Sequence, residues 1–101
     1  MRVIARSTLE AFWNTHADSK QPLLAWYDEA LAAKWHGPQD IKRLYASASF
    51  IGGNRVVFNI KGGSYRLITA VAYRYQAIYI KFIGTHAEYD RINAATVEMK
   101  P

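Results

Sequence analysis

Apolar residues recur at helical spacing through the first part of the chain and at strand spacing after Ala46. Val3 and Ile4 are β-branched and predict a short strand over residues 1–5. Ser7, with Glu10 three positions on, has the spacing of a capping box. Leu9, Phe12 and Trp13 then stand at i, i+3 and i+4, the buried stripe of a helix over 8–16. Asp18 and Ser19 interrupt the pattern. Pro22 suits the first turn of a second helix, whose apolar set of Leu23, Trp26, Tyr27, Ala30, Leu31 and Trp35 again repeats at three and four. Two such stripes in tandem predict a helical hairpin. Gly37 and Pro38 are expected to end it, and Asp40 is placed to cap a short third helix over 41–45.

Beyond Ala46 the period is that of strands. Residues 47–51 lead into a turn at Gly52, Gly53 and Asn54, and three strands follow over 56–60, 65–73 and 77–84. Gly62 and Gly63 form the hairpin turn between the first two of these, and Arg74, Tyr75 and Gln76 form the loop before the third. In that third strand Ile78, Ile80 and Phe82 alternate with Tyr79, Lys81 and Ile83, so both faces carry bulky residues. Residues 87–99 read as a short helix or an extension. The expected fold class is α+β, an N-terminal helical hairpin packed on an antiparallel sheet of about four to five strands. With no repeat, low-complexity tract or linker, residues 1–101 are expected to form one domain.

Composition narrows the class further. Half of the residues are hydrophobic, enough for a core, yet no run approaches the roughly 18 apolar residues of a membrane span. Arg2 and Arg6 bracket only Val3, Ile4 and Ala5, so neither a targeting segment nor a membrane partner is expected. The absence of cysteine excludes disulfides, thiolate zinc sites and cysteine nucleophiles, and fits a cytoplasmic location. Thirteen Lys and Arg against eight Asp and Glu give a formal charge of +5 and a pI near 9.6. Such an excess attracts polyanions, although many basic proteins of this size bind no nucleic acid. Distribution says more than the total. Lys34, Lys42, Arg43, Arg55, Lys61, Arg66, Arg74 and Lys81 fall on predicted strands and their loops, while the acids fall mostly in helical segments, which predicts a basic sheet face.

Two segments carry a resemblance. VFNIKGGSYRLI (57–68) resembles the central hairpin of HigB-type toxins, and IKFIGTHAEYD (80–90) resembles their last strand followed by a Thr-His-x-x-Tyr-Asp turn. The likeness spans essentially the whole chain, including the two N-terminal helices. It implies a RelE-like sheet flanked by helices and a hydrolase acting as an mRNA interferase, a ribosome-dependent endoribonuclease that inhibits translation by cutting mRNA on the ribosome. It also implies suppression by a helix-turn-helix, HigA-like antitoxin, contact with DNA only through that antitoxin complex, and no metal or other cofactor.

The residues permit that chemistry. A metal-free ribonuclease needs a group to deprotonate the 2′-hydroxyl, a cation for the charge building on the phosphate, and an acid for the departing 5′-oxygen. His86 sits beside a strand end, and histidine titrates where either proton-transfer role requires; the alternative is a capping or solvent-facing turn residue. Arg66 offers the planar fork that clamps phosphate, or else pairs with Glu88 or Asp90. Asn59 should stand opposite Arg66 if the 61–64 turn pairs their strands. Lys81 is a phosphate contact or a solvated ladder lysine, and Tyr89 a base-stacking ring or a core anchor. Lys61, Arg55 and Arg74 complete the expected RNA-binding set, with Asp90 capping or pairing rather than catalysing.

Other features are structural. Trp13, Trp26 and Trp35 follow the buried helical stripes, the glycine pairs are turns, and His16 and His36 lie at helix ends without ligand-spaced companions. Two other readings stay open: a non-catalytic basic module that binds RNA or an acidic protein, and a structural subunit whose helical hairpin is an oligomer surface.

Overall fold

The computed structural model describes residues 1–99. They form β1 (Arg2–Ile4), α1 (Arg6–Thr15), a 3-10 turn (Ala17–Ser19), α2 (Lys20–Ala32), α3 (Pro38–Leu44), β2 (Ser49–Ile51), β3 (Arg55–Ile60), β4 (Tyr65–Ala72), a second 3-10 turn (Tyr73–Tyr75), β5 (Ala77–Thr85) and α4 (His86–Tyr89). One five-stranded sheet has the order β1-β5-β4-β3-β2. The expected α+β class and helical hairpin are present. The sheet is mixed rather than wholly antiparallel, because β1 lies parallel to β5 with Arg2 opposite Ala77 and Ile4 opposite Tyr79. A parallel pair needs a long connection, and here α1 to α3 and β2 to β4 all lie between its members.

Helix ends depart from the sequence pattern in ways that have local causes. α1 starts one residue before Ser7, on an Ala5 cap without a side-chain bond, so the capping box does not form. Glu10 is instead engaged by Arg6 at 3.2 Å. α2 ends at Ala32, and Trp35 lies beyond it while still buried in the core. Pro38 opens α3 rather than closing α2, since its fixed φ suits a first helical turn. Asp40 is inside that turn, where it accepts from the His36 amide at 2.9 Å and pairs with Arg43.

The main core lies between the helices and one sheet face. Leu9, Trp13, Leu23, Trp26, Trp35 and Ile41 pack on Val56, Phe58, Ile60, Leu67, Val71, Ile78 and Ile83. On the second face Val57, Ile68 and Phe82 form a smaller cluster, covered by Tyr89, Ile92, Ala94 and Val97 from the C-terminal segment. A β-bulge explains how β5 serves both faces. Ile68 pairs with Phe82 and Thr69 with Ile80, which leaves Lys81 without a partner and reverses the alternation there. Ile83 therefore joins Ile78 and Ile80 in the main core, whereas Phe82 faces the other way.

The second face is not the open basic surface that the cation pattern predicts. Arg55 is only 8% exposed. It donates to the carbonyls of Ala94 and Val97 at 3.1 and 2.8 Å and pairs with Glu98 at 2.5 Å. Glu98 also takes Lys81 at 2.9 Å, and the two cations hold its carboxyl below the usual carboxylate range, the lysine hydrogen bond being the larger influence. A buried guanidinium requires such partners, and the folded-back tail supplies them. Among the described residues no helix is long and apolar enough to cross a membrane.

Candidate functional site

The β3–β4 turn is built by three successive residues in the left-handed region, Lys61 (φ 53°), Gly62 (φ 62°) and Gly63 (φ 96°). Two of them are glycines, for which that conformation carries no Cβ penalty. The turn fixes a register in which Asn59 stands opposite Arg66 and Ile60 opposite Tyr65, as the hairpin spacing predicts. On its other side β4 pairs with β5, with Tyr65 opposite Thr85 and Arg66 opposite Gly84. Arg66 thus occupies the central strand of three at the turn end of the sheet.

Its side chain curls back toward the turn. Nη1 donates to the Gly63 carbonyl, and the guanidinium carbon lies 5.6 Å from the centre of the Tyr89 ring. The expected alternative, an ion pair with Glu88 or Asp90, does not form, because both acids are otherwise engaged. Glu88 completes a capping box with Thr85, accepting from the Thr85 amide at 2.8 Å while the Thr85 hydroxyl accepts from the Glu88 amide at 3.1 Å. Asp90 faces His86 Nδ1 at 3.0 Å.

This capping box starts α4 directly at the end of β5, so His86 is the first residue of the helix and Tyr89 the last. The His86 amide donates to the Ser64 carbonyl at 3.1 Å, tying the helix to the turn that seats Arg66. Exposed His86 has Nδ1 oriented by Asp90, the arrangement that leaves Nε2 to exchange a proton with a ligand. Half-buried Tyr89 does two things. It packs on the second hydrophobic cluster and presents its ring to Arg66.

The Arg66 guanidinium and the Tyr89 ring therefore meet at one end of β4, where exposed Asn59 stands opposite Arg66 in the ladder and the His86 backbone is tied to the turn. The other expected site residues lie apart. Lys81 shares the strand that leads to His86 but is held by Glu98. Lys61 is paired with Asp18 at 2.6 Å. Arg55 is buried under the C-terminal segment, and Arg74 sits in the 3-10 turn at the opposite end of β4, 5.7 Å from the centre of the Tyr75 ring. Among the described residues no three His, Asp or Glu side chains gather closely enough to hold a metal ion.

Gly84 belongs to the site and escaped sequence reasoning, although a glycine among the bulky residues of β5 was a signal. A Cβ there would run into the Phe82 ring and stand 3.1 Å from Glu88 Oε1, the carboxylate that caps α4. Gly84→Ala is expected to lower stability by about 1 to 3 kcal/mol, as overpacking does, with a matching drop in urea midpoint. An unchanged midpoint would mean that Phe82 and α4 yield freely.

No curated protein matches the chain. The family model of HigB toxins, the RelE-like toxic component of a toxin-antitoxin system, matches residues 19–92. That span takes in the turn, Arg66, Gly84 and all of α4 and leaves β1, α1 and Asp18 ahead of it. The chain belongs to the HigB toxin family, the toxic half of a toxin-antitoxin system, and its counterpart is an antitoxin.

Proposed function

We propose that this toxin is a ribosome-dependent, metal-independent mRNA endoribonuclease that inhibits translation in the cytoplasm, with residues 1–101 acting as one domain. A helix-turn-helix antitoxin of the HigA kind would neutralise it. The observation that carries the reading is the meeting of a guanidinium, a tyrosine ring and an imidazole-bearing helix at the end of β4. Arg66 provides the charge-assisted clamp for the scissile phosphate, and Tyr89 offers a face on which an unpaired base stacks. Asn59, opposite Arg66, has an amide suited to hold a nucleotide edge. Lys81 serves a neighbouring phosphate when an RNA oxygen replaces the Glu98 carboxylate.

The reaction follows from these parts. The 2′-oxygen attacks phosphorus as its proton leaves, the bond from phosphorus to the 5′-oxygen breaks, and that oxygen receives a proton, giving a 2′,3′-cyclic phosphate. His86 serves one of the two transfers, and the ribosome or the RNA serves the other. Expression of the wild type in growing bacteria should arrest growth and create new 5′ ends within translated messages, and His86→Ala should do neither. RNA retention with a steep salt dependence but no new ends would instead make the protein a binding module.

A further inference from the structure

We infer that Asp18 is a positioning residue for Arg66: by gripping Lys61 and Tyr65 it fixes the left-handed turn whose Gly63 carbonyl receives the guanidinium. The inference rests on the proposed function only insofar as Arg66 acts on RNA. One carboxylate takes both sides of the hairpin. Oδ2 accepts from Lys61 Nζ at 2.6 Å, at the first residue of the turn, and Oδ1 accepts from the Tyr65 hydroxyl, at the first residue of β4.

Apart from Asp18, the turn is held by backbone bonds and by the Arg66 guanidinium. A Cβ on Gly62 would meet nothing within 4 Å, and the three atoms nearest one on Gly63 all belong to the Arg66 guanidinium. Two backbone bonds close the turn, from the Gly63 amide to Ile60 at 3.2 Å and from the Ser64 amide to Lys61 at 3.1 Å. Lys61 has a Cβ and still adopts φ 53°, a conformation that persists where surroundings impose it. Asp18 is part of those surroundings.

The grip is anchored in the helical layer rather than in the sheet. Asp18 belongs to the 3-10 turn between α1 and α2, which is pinned where Ser19 Oγ and the Ser19 amide donate to the His16 carbonyl at 2.7 and 2.9 Å. Tyr65 is equally fixed, its ring edge-on to Phe12 at 5.3 Å and to His16 at 5.7 Å. The Lys61 and Tyr65 hydrogen bonds, the former larger, hold the Asp18 carboxyl below the usual carboxylate range, and the same contact pushes the Tyr65 phenol up. The acceptor thus stays ionised and the phenol stays a donor around neutrality. Ser64 hands the effect onward, because its carbonyl takes the His86 amide. Lys61 is on this view a strut of the site rather than a contact with RNA.

Purified toxin acting on ribosomes programmed with a defined message tests this, with Asp18→Asn, Lys61→Met, Lys61→Arg and Arg66→Ala beside the wild type. Asp18→Asn and Lys61→Met should lower kcat by about tenfold with KM nearly constant, since misplacing a reacting group slows the step without weakening binding. Lys61→Arg, which keeps the ion pair, should cleave like the wild type. Wild-type kcat in both Asp18→Asn and Lys61→Met overturns the inference, and so does a raised KM at constant kcat, which would make Lys61 an RNA contact. A second measurement needs no cleavage. Hydrogen exchange of the Arg66 guanidinium, followed by NMR in the free protein, should quicken in Asp18→Asn, and an unchanged rate overturns the inference. If Arg66→Ala cleaves like the wild type while that exchange does quicken in Asp18→Asn, the proposed function falls and the positioning stands.

Discussion

Arg66→Ala is expected to remove about 2 to 4 kcal/mol of transition-state stabilisation, which is roughly a thirty- to thousandfold loss in single-turnover cleavage on the ribosome. The size follows from where the side chain is. It is half-buried, aimed by the Gly63 carbonyl and backed by the Tyr89 ring, so its charge is oriented before RNA arrives. Preorganised charge costs little reorganisation as negative charge grows on the phosphate. Arg66→Lys should recover only part of the loss, because an ammonium has neither the planar fork nor the ring contact. Both variants should keep a cooperative unfolding transition, since the flanking Asn59–Arg66–Gly84 backbone pairing does not depend on the side chain. A folded Arg66→Ala protein that cuts messages at the wild-type rate would remove the guanidinium from the mechanism.

The parts of this site that the sequence made legible are those set by short-range rules. A two-glycine turn fixes which residues lie opposite one another, so the Asn59–Arg66 pairing followed from spacing alone. The spacing of His86 and Tyr89, three positions apart, likewise lies within one helical turn, whereas Glu88 caps that helix instead of pairing with Arg66. What the sequence concealed depends on long-range contacts. Asp18 meets Tyr65 across 47 positions, and Glu98 meets Arg55 across 43. No local pattern announces such pairings, so Lys61, Arg55 and Lys81 read as free cations when each has an acid beside it. The β5 alternation misled for a different reason. A single unpaired residue at Lys81 reverses the facing of everything after it, and a bulge has no composition of its own.

Phe58→Ala should produce the largest change in stability, about 3 to 5 kcal/mol, a large part of what holds a domain of this size together. Phe58 is 1% exposed and sits at the junction of the helices and the sheet. Its ring lies 5.5 Å from Trp26, 6.5 Å from Trp35 and 5.1 Å from Tyr45, so one truncation removes a contact from α2, from the α2–α3 connection and from the end of α3 together. The surrounding rings are large and planar, and they have few rotamers with which to fill the space. A cavity should therefore persist, and persistent cavities mark the upper part of the large-to-small range. Urea unfolding followed by tryptophan fluorescence should show a lower midpoint at an unchanged slope. Phe58→Leu, which fills much of the same volume, should lose clearly less. A Phe58→Ala midpoint shift worth under about 1 kcal/mol would mean that the three aromatic neighbours collapse into the gap. The adjoining register, with Asn59 opposite Arg66, would then rest on Val56 and Ile60, which pack into the same core from β3.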